Sequence, residues 1–279
     1  MASISQLIEH SVTQLESVSD SARLDTELLL CFALKKDRTF LHAWPEYKLN
    51  ENLLSTFQKL LTRRIQGEPV AHILGERGFW SLNLKVTPDT LIPRADTERL
   101  IELALDIIPV NKPLHILDMG TGTGAIALSL AKERPSCHVT ATDQSIEALD
   151  VAKHNAKINQ LSNVGFVQSN WFSELGKQQF NMIVSNPPYI CDNDPHLQQG
   201  DVRFEPLSAL TSGADGLNDI RYIIKNSQQH LTKDGVLLIE HGYDQADAVC
   251  DLLKAANFNQ ISSFTDHSNN PRVSLGYIQ

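Results

Sequence analysis

The sequence predicts an α/β protein in which a doubly wound sheet follows a small helical bundle and a β-hairpin. Three observations predict it. From Leu114 onward, short apolar runs alternate with amphipathic segments, the pattern of strands joined by crossover helices. The first of these runs ends in a glycine-rich turn, Met119-Gly120-Thr121-Gly122-Thr123-Gly124, which opens straight into the helical Ala125-Ile126-Ala127-Leu128. Before residue 68, the apolar stripes recur at helical spacing with a polar face behind each. The expected division of the 279 residues is 1–68 for the bundle, 69–92 for a hairpin linker and 93–279 for the sheet domain.

In the bundle, Ser3 can cap a helix carrying Ile4, Leu7, Ile8, Val12 and Leu15. Asp20 or Ser21 can cap the next, with Leu24, Leu28, Leu29 and Phe32 expected inside. A short piece near Thr39–Ala43 stops before Pro45. Asn50 can cap a longer helix with the stripe Leu53, Leu54, Phe57, Leu60, Leu61 and Ile65, closed by Gly67. Arg63-Arg64 reads as its solvated, dipole-favoured end. Ile73 to Trp80 and Leu82 to Val86 then read as the hairpin. Asp96 or Thr97 can cap a helix through Leu100, Leu103, Ala104 and Ile107. In the sheet domain the expected strands are 114–118, 138–143, 164–167, 180–185 and 235–240. Two more are expected at 261–264 and 273–277.

Composition narrows the function classes. A hydrophobic content of 42% and a charged content of 20% are ordinary for a globular chain. A net charge of −9 argues against a protein that lives on bulk nucleic acid, where a basic face supplies most affinity. The longest apolar runs are too short to cross a membrane, and residues 1–15 are too polar for a secretory signal. The four cysteines form no Cys-x-x-Cys pair, which suits a reducing, cytoplasmic setting. The ten histidines show no metal-ligand spacing, so no metal is assigned.

The chemistry centres on Asn186-Pro187-Pro188-Tyr189. An apolar strand leads into it, and two prolines without N–H groups end the ladder there. Asn186 therefore stands at the carboxyl end of a strand, where open α/β sheets bind ligands. The carbonyls of Asn186 and Pro187, with the Asn186 side-chain oxygen, are acceptors converging beside an aromatic ring. Such a set suits a planar NH2 group with two hydrogens to donate. Upstream, the glycine turn lets backbone approach a ligand closely, and Asp143 follows it by about 20 residues, where a carboxylate holds ribose hydroxyls. Gly120-x-Gly122-x-x-Ala125 also passes a relaxed dinucleotide pattern. Asp118, ending the strand before the turn, suits an ammonium better than a pyrophosphate and favours S-adenosylmethionine.

The run Asp118–Gly124, Asp143 and Asn186-Pro187-Pro188-Tyr189 together resemble class I S-adenosylmethionine-dependent methyltransferases, a Rossmann-like fold, acting on amide or amino nitrogens. The tetrapeptide is shared with adenine-N6 and guanine-N2 methyltransferases of nucleic acids. Residues 68–75, 79–80, 91–98, 200–206 and 272–276 extend the likeness over nearly the whole chain. In these segments it resembles the peptide chain release factor glutamine methyltransferases (the PrmC/HemK family). Ala95 stands where that family usually has proline, and Ser274 where threonine is common.

The resemblance implies methylation of the glutamine side-chain nitrogen (N5) in the Gly-Gly-Gln loop of class I release factors. It assigns Asn186, Pro187, Pro188 and Tyr189 to catalysis, with Tyr189 packing on the substrate amide. It assigns Gly120, Thr121, Gly122, Thr123, Gly124, Asp143 and Trp171, with Asp118 and Asn186, to S-adenosylmethionine. The helical front end is then a substrate-recognition domain. A glutamine methyltransferase of a ribosomal protein shares the tetrapeptide and stays open as an alternative. A nucleic-acid methyltransferase stays open too, against the chain's acidic balance. Residues 190–216 form a long loop with Asp192, Asp194, Asp201, Glu205, Asp215 and Asp219 in or beside it against Arg203 alone, a surface expected to repel phosphates and to suit a basic protein.

Overall fold

The computed structural model describes residues 2–279. They form two compact units, one of residues up to Glu76 with Pro195–Phe204, the other of Arg77–Asp194 with Glu205–Gln279.

The first unit holds α1 (Ile4–Leu15), α2 (Ala22–Leu34), α3 (Arg38–Ala43), α4 (Glu51–Ile65) and α5 (Val70–Leu74). Ser3 and Gln6 form a reciprocal capping box on α1, and the Asn50 side chain caps α4 through Leu53 N. Ile4, Leu15, Leu29, Leu30, Leu41 and Phe57 make a shared apolar centre. Two expectations fail here. Helix α2 buries Asp25, Thr26 and Glu27 and leaves Leu24 and Phe32 exposed. Arg64, expected in solvent, is buried. Its guanidinium bonds Asp25 at 2.7 Å and Asp201 at 2.9 Å. The two errors share one cause, since a buried arginine needs carboxylates and so turns the polar face of α2 inward. Glu27 is likewise held by Arg23 and Arg38. A third difference is that Ile73 and Leu74 lie in α5 rather than in a strand, with Gly75 closing the turn at φ 74°.

The second unit begins at Arg77, inside strand β1 (Glu76–Phe79), which forms a hairpin with β2 (Leu82–Lys85), and continues with α6 (Glu98–Ile107). Next come β3 (His115–Met119), α7 (Ala125–Glu133), β4 (His138–Asp143), α8 (Ile146–Ile158), β5 (Val164–Gln168) and β6 (Phe180–Ser185). The unit ends with α9 (Asn218–Ser227), β7 (Leu231–Glu240), α10 (Ala246–Ala255), β8 (Asn259–Thr265) and β9 (Pro271–Tyr277). The seven-stranded sheet runs β5-β4-β3-β6-β7-β9-β8. Its first five strands are parallel, and β9 inserts antiparallel between β7 and β8. Alternate strand residues feed opposite faces. Ile116, Val139, Met182 and Val236 pack beneath α6 and α7, while Leu117, Met119, Ile183 and Leu237 meet α9 and α10. Strands buried on both faces read as continuous apolar runs, which is why the sequence shows them so plainly.

Asn155 on α8 is a fully buried tie. Its Oδ1 accepts Lys85 N at 2.7 Å, and its Nδ2 donates to Lys85 O at 3.0 Å and Thr123 O at 2.9 Å. It thereby anchors the end of the hairpin to the glycine turn. Asn155→Ala strands three backbone groups. We expect a loss of about 3 kcal/mol, taking roughly 1 kcal/mol per bond. Urea unfolding monitored by circular dichroism would read this directly; a change below ~0.5 kcal/mol would show that the tie is dispensable.

Candidate active site

The site lies where the strand order reverses. Strand β4 leads away from β3 on one side and β6 lies on the other, so the loops leaving them diverge at the carboxyl edge. Register brings the strand ends level, with Met119 beside both Thr142 and Ser185. A cleft of about 290 Å³ opens there. The glycine turn, Asp143, Ser169, Trp171, Asn186 and Pro188 line it, together with Pro93, Arg94 and Thr97 from the segment before α6.

The turn is shaped by Asp118. Its Oδ2 accepts the Thr121 hydroxyl at 2.6 Å and Ala127 N at 3.1 Å, lashing the loop to the first turn of α7. Asp118 is fully buried, and its Oδ1 has no hydrogen-bond partner. Burial pushes its carboxyl up to about 7, against the pull of those two bonds. It stands behind the cleft wall, whereas Gly120, Thr121, Gly122 and Thr123 are the wall. Gly124 faces inward, where a Cβ would meet Leu128 at 3.0 Å, and its φ of 84° also favours glycine.

Asp143 caps β4 and turns its carboxylate along the loop. Oδ2 accepts Gly122 N at 2.9 Å and Oδ1 accepts Ser145 N at 3.0 Å. Burial raises its pKa, with these backbone bonds opposing. Trp171 adopts a φ of 52°, and its indole N–H donates to Asp219 at 3.1 Å. Its ring would lie 3.7 Å from a Cβ on Gly120, so the indole covers the turn. The Ser212 hydroxyl holds the other Asp219 oxygen at 2.6 Å.

At the opposite wall, β6 ends at Ser185, whose hydroxyl donates to Met119 O at 2.8 Å. Asn186 follows, half-buried, and its Nδ2 donates to Thr97 Oγ1 at 3.0 Å. Pro187 and Tyr189 stand outside the cleft lining, and the Tyr189 carbonyl is held by Gln245 at 3.0 Å. Burial raises the Tyr189 hydroxyl, with Glu240 adding to the shift. The cleft thus brings together Gly120, Thr121, Gly122, Thr123, Asp143, Trp171, Asn186 and Pro188, while Asp118, Gly124, Pro187 and Tyr189 do not line it.

Several residues that matter here were not singled out from the sequence. Thr97 stands at the N-cap of α6, as its place in the sequence predicts, but makes no side-chain capping bond; its hydroxyl accepts from Asn186 Nδ2 instead. Glu240 ends a strand in the sequence reading and nothing more, although a carboxylate closing Val236-Leu237-Leu238-Ile239 is a visible signal. Glu205, counted as an exposed acid of the long loop, is buried, accepts Ile92 N at 3.2 Å and pairs with Arg94. Asp201 pairs with Arg64, Asp215 with Arg221, and Asp219 holds Trp171. The acidic character read from residues 190–216 is therefore largely consumed internally, as a long loop without strands needs side-chain partners for its backbone and bends.

The geometry suits a nucleoside-bearing ligand on one wall and a polar group on the other. Comparison with known proteins identifies the fold and the family. A model of the methyltransferase small domain matches residues 100–200, and one of the PrmC N-terminal domain matches residues 6–75. A 16S rRNA N2 methyltransferase of T. thermophilus, solved with AdoMet and guanosine, superposes with a TM-score of 0.56 at 14% identity. It covers 73% of this chain and 50% of its own, a likeness of fold. The release factor glutamine methyltransferase of Escherichia coli (strain K12) is 48% identical over 96% of both chains. That of Pseudomonas aeruginosa is 51% identical over 92% of this chain and 93% of its own. With that identity sustained from bundle to last strand, the chain belongs to the release factor glutamine methyltransferase family.

Proposed function

We propose that this protein transfers the methyl group of S-adenosylmethionine to the side-chain amide nitrogen of the Gly-Gly-Gln glutamine in class I release factors. The observation that carries the reading is the placement of Asn186. It ends a strand at the cleft wall with its Nδ2 turned to Thr97, so its Oδ1 is the end left for a ligand. The strand ladder stops at Ser185, which leaves the Asn186 and Pro187 carbonyls outside it.

The residues fit the cofactor. The turn 120–123 and Asp143 offer backbone and carboxylate to the nucleoside, and Trp171 gives a flat apolar face. Asp118 keeps one unpartnered buried oxygen behind the turn, suited to drawing a cationic amino group toward that end. When bound, S-adenosylmethionine supplies an electrophilic methyl group. A glutamine amide is a weak nucleophile because its lone pair is delocalised, so the protein's contribution is aim. Asn186 Oδ1, at the cleft wall, accepts one amide hydrogen and turns the nitrogen toward the donor side; the Pro187 carbonyl, next in the chain but outside the cleft lining, is the acceptor proposed for the second. Tyr189, packed against the apolar cluster beneath the sheet and held at its carbonyl by Gln245, anchors the chain just after the prolines. No strong base is needed before transfer, since the proton leaves only once nitrogen is cationic. The helical unit provides the recognition surface, dividing the chain into a docking part at 1–68, a linker at 69–92 and a catalytic part at 93–279. No helix among the described residues is long and apolar enough to cross a membrane. Acting on a translation factor, the enzyme is proposed to work in the cytoplasm.

The test is transfer of labelled methyl from S-adenosylmethionine to a purified release factor, with ribosomal proteins and RNA as parallel acceptors. Label on the release factor alone, lost when its Gly-Gly-Gln glutamine is changed, is the expected result. Label on RNA or a ribosomal protein instead would overturn the assignment.

A further inference from the structure

Glu240 ends β7, is 1% exposed, and its Oε2 lacks a hydrogen-bond partner. It is not part of the cleft lining. Thr97 and Asn186 face its carboxyl, and both lower its proton affinity through side-chain hydrogen bonding. Such a group is costly to bury, and no step of the proposed methyl transfer uses it.

An asparagine amide has two ends of nearly equal shape, one acceptor and one a double donor. If Asn186 were turned over, its NH2 would face a ligand NH2, donor against donor. Thr97 cannot prevent this, because a hydroxyl both donates and accepts. An ionised carboxylate only accepts, and it therefore demands the Nδ2 end. We propose that Glu240 is a positioning residue that sets which end of the Asn186 amide faces the cleft, with Thr97 as its second anchor. This rests on Asn186 being the acceptor of the substrate amide hydrogens.

The other charged or titratable groups around Glu240 are Arg272 on β9, Asp96 before α6 and the phenol of Tyr189. His241, directly after β7, is bonded to Ser274 and Gly242 O, and burial lowers its pKa. Burial raises Glu240 to about 7, with Thr97 and Arg272 opposing. Below that pH the carboxyl gains a proton, becomes a donor as well, and stops discriminating between the two ends.

The sign for stability runs the other way. A carboxyl with a raised folded pKa destabilises the protein above that pKa, and the cost vanishes below the unfolded value. A purely structural Glu240 would make its loss costly at every pH. Glu240→Gln is therefore expected to melt no lower than wild type at pH 8. Its turnover of a purified release factor should nevertheless fall about tenfold, with KM for that protein and calorimetric cofactor affinity within twofold. Thr97→Val, which keeps shape and removes the second anchor, should fall in the same direction.

Nuclear magnetic resonance reads the amide without catalysis. The Asn186 side-chain NH2 pair is the one missing from an Asn186→Asp spectrum. In wild type it should shift between pH 6 and 8, and in Glu240→Gln that shift should be absent. A pair insensitive to pH, or turnover in Glu240→Gln within threefold of wild type, would overturn the proposal. Wild type that methylates no release factor, with the pair still titrating, would instead sink the functional reading and leave the orientation of Asn186 standing.

Discussion

Asn186→Ala is expected to lower methyl transfer by about 100-fold or more and to leave the fold intact. The side chain is half-buried at the cleft wall; its Nδ2 donates to Thr97 Oγ1 at 3.0 Å and it also hydrogen-bonds the Glu240 carboxyl. Alanine removes one of the two acceptors offered to the substrate and leaves the Pro187 carbonyl. The lost hydrogen bond is worth only about 0.5–1.5 kcal/mol net, which is at most roughly tenfold. The larger loss is of aim. An amide held by one hydrogen can swing about that bond, and a misplacement of about 1 Å can cost ~100-fold in rate. The defect should thus appear in single-turnover rate at saturating substrates, with a smaller change in release-factor affinity. A variant within a few-fold of wild type would show that the Asn-Pro-Pro-Tyr turn is a structural stop and no more. Asn186→Asp separates the two effects, since it keeps the oxygen but sets a charge against Glu240.

What could be read from the chain without coordinates follows from how local each signal is. Strands buried on both faces, a glycine turn and a Pro-Pro stop are consequences of residues next to one another, and each was found where the sequence placed it. The sheet's order is less local, yet the alternation of strands and helices restricts it to few forms. Charged groups were the failures. Arg64 looked like a solvated helix end because its partner Asp201 is 137 positions away. Glu205 looked like a loop acid because Arg94 is 111 positions away. Burial of a charge depends on a partner, and a partner distant in sequence leaves no periodicity. The same blindness hid the Thr97–Asn186–Glu240 group, which three separate segments bring together. Asp118 is the intermediate case. Its position before the turn was evident, but that it stands behind the wall, bonded to Thr121 and Ala127, is a matter of side-chain direction.

Asp143→Ala is expected to weaken S-adenosylmethionine binding by about 1.5–3 kcal/mol, the range for a hydrogen bond to a charged group. That is roughly 10- to 150-fold in affinity. Two routes lead to such a loss, because the carboxylate also accepts Gly122 N at 2.9 Å and Ser145 N at 3.0 Å. Removing it frees the turn as well as a contact to the ligand, and affinity alone does not tell these apart. The ribose does. If Asp143 grips the ribose hydroxyls, wild type should prefer S-adenosylhomocysteine over its 2′,3′-dideoxy analogue by about tenfold or more, and the alanine variant should lose that preference. If the carboxylate serves only the turn, both ligands weaken equally in the variant and the preference survives. This is a mutant cycle with the ligand as one partner, so it isolates the pairwise contact from any change in the loop. Calorimetry on a variant confirmed as folded measures all four affinities. A preserved preference would remove Asp143 from the ribose and leave it as the clasp that holds Gly122 in place.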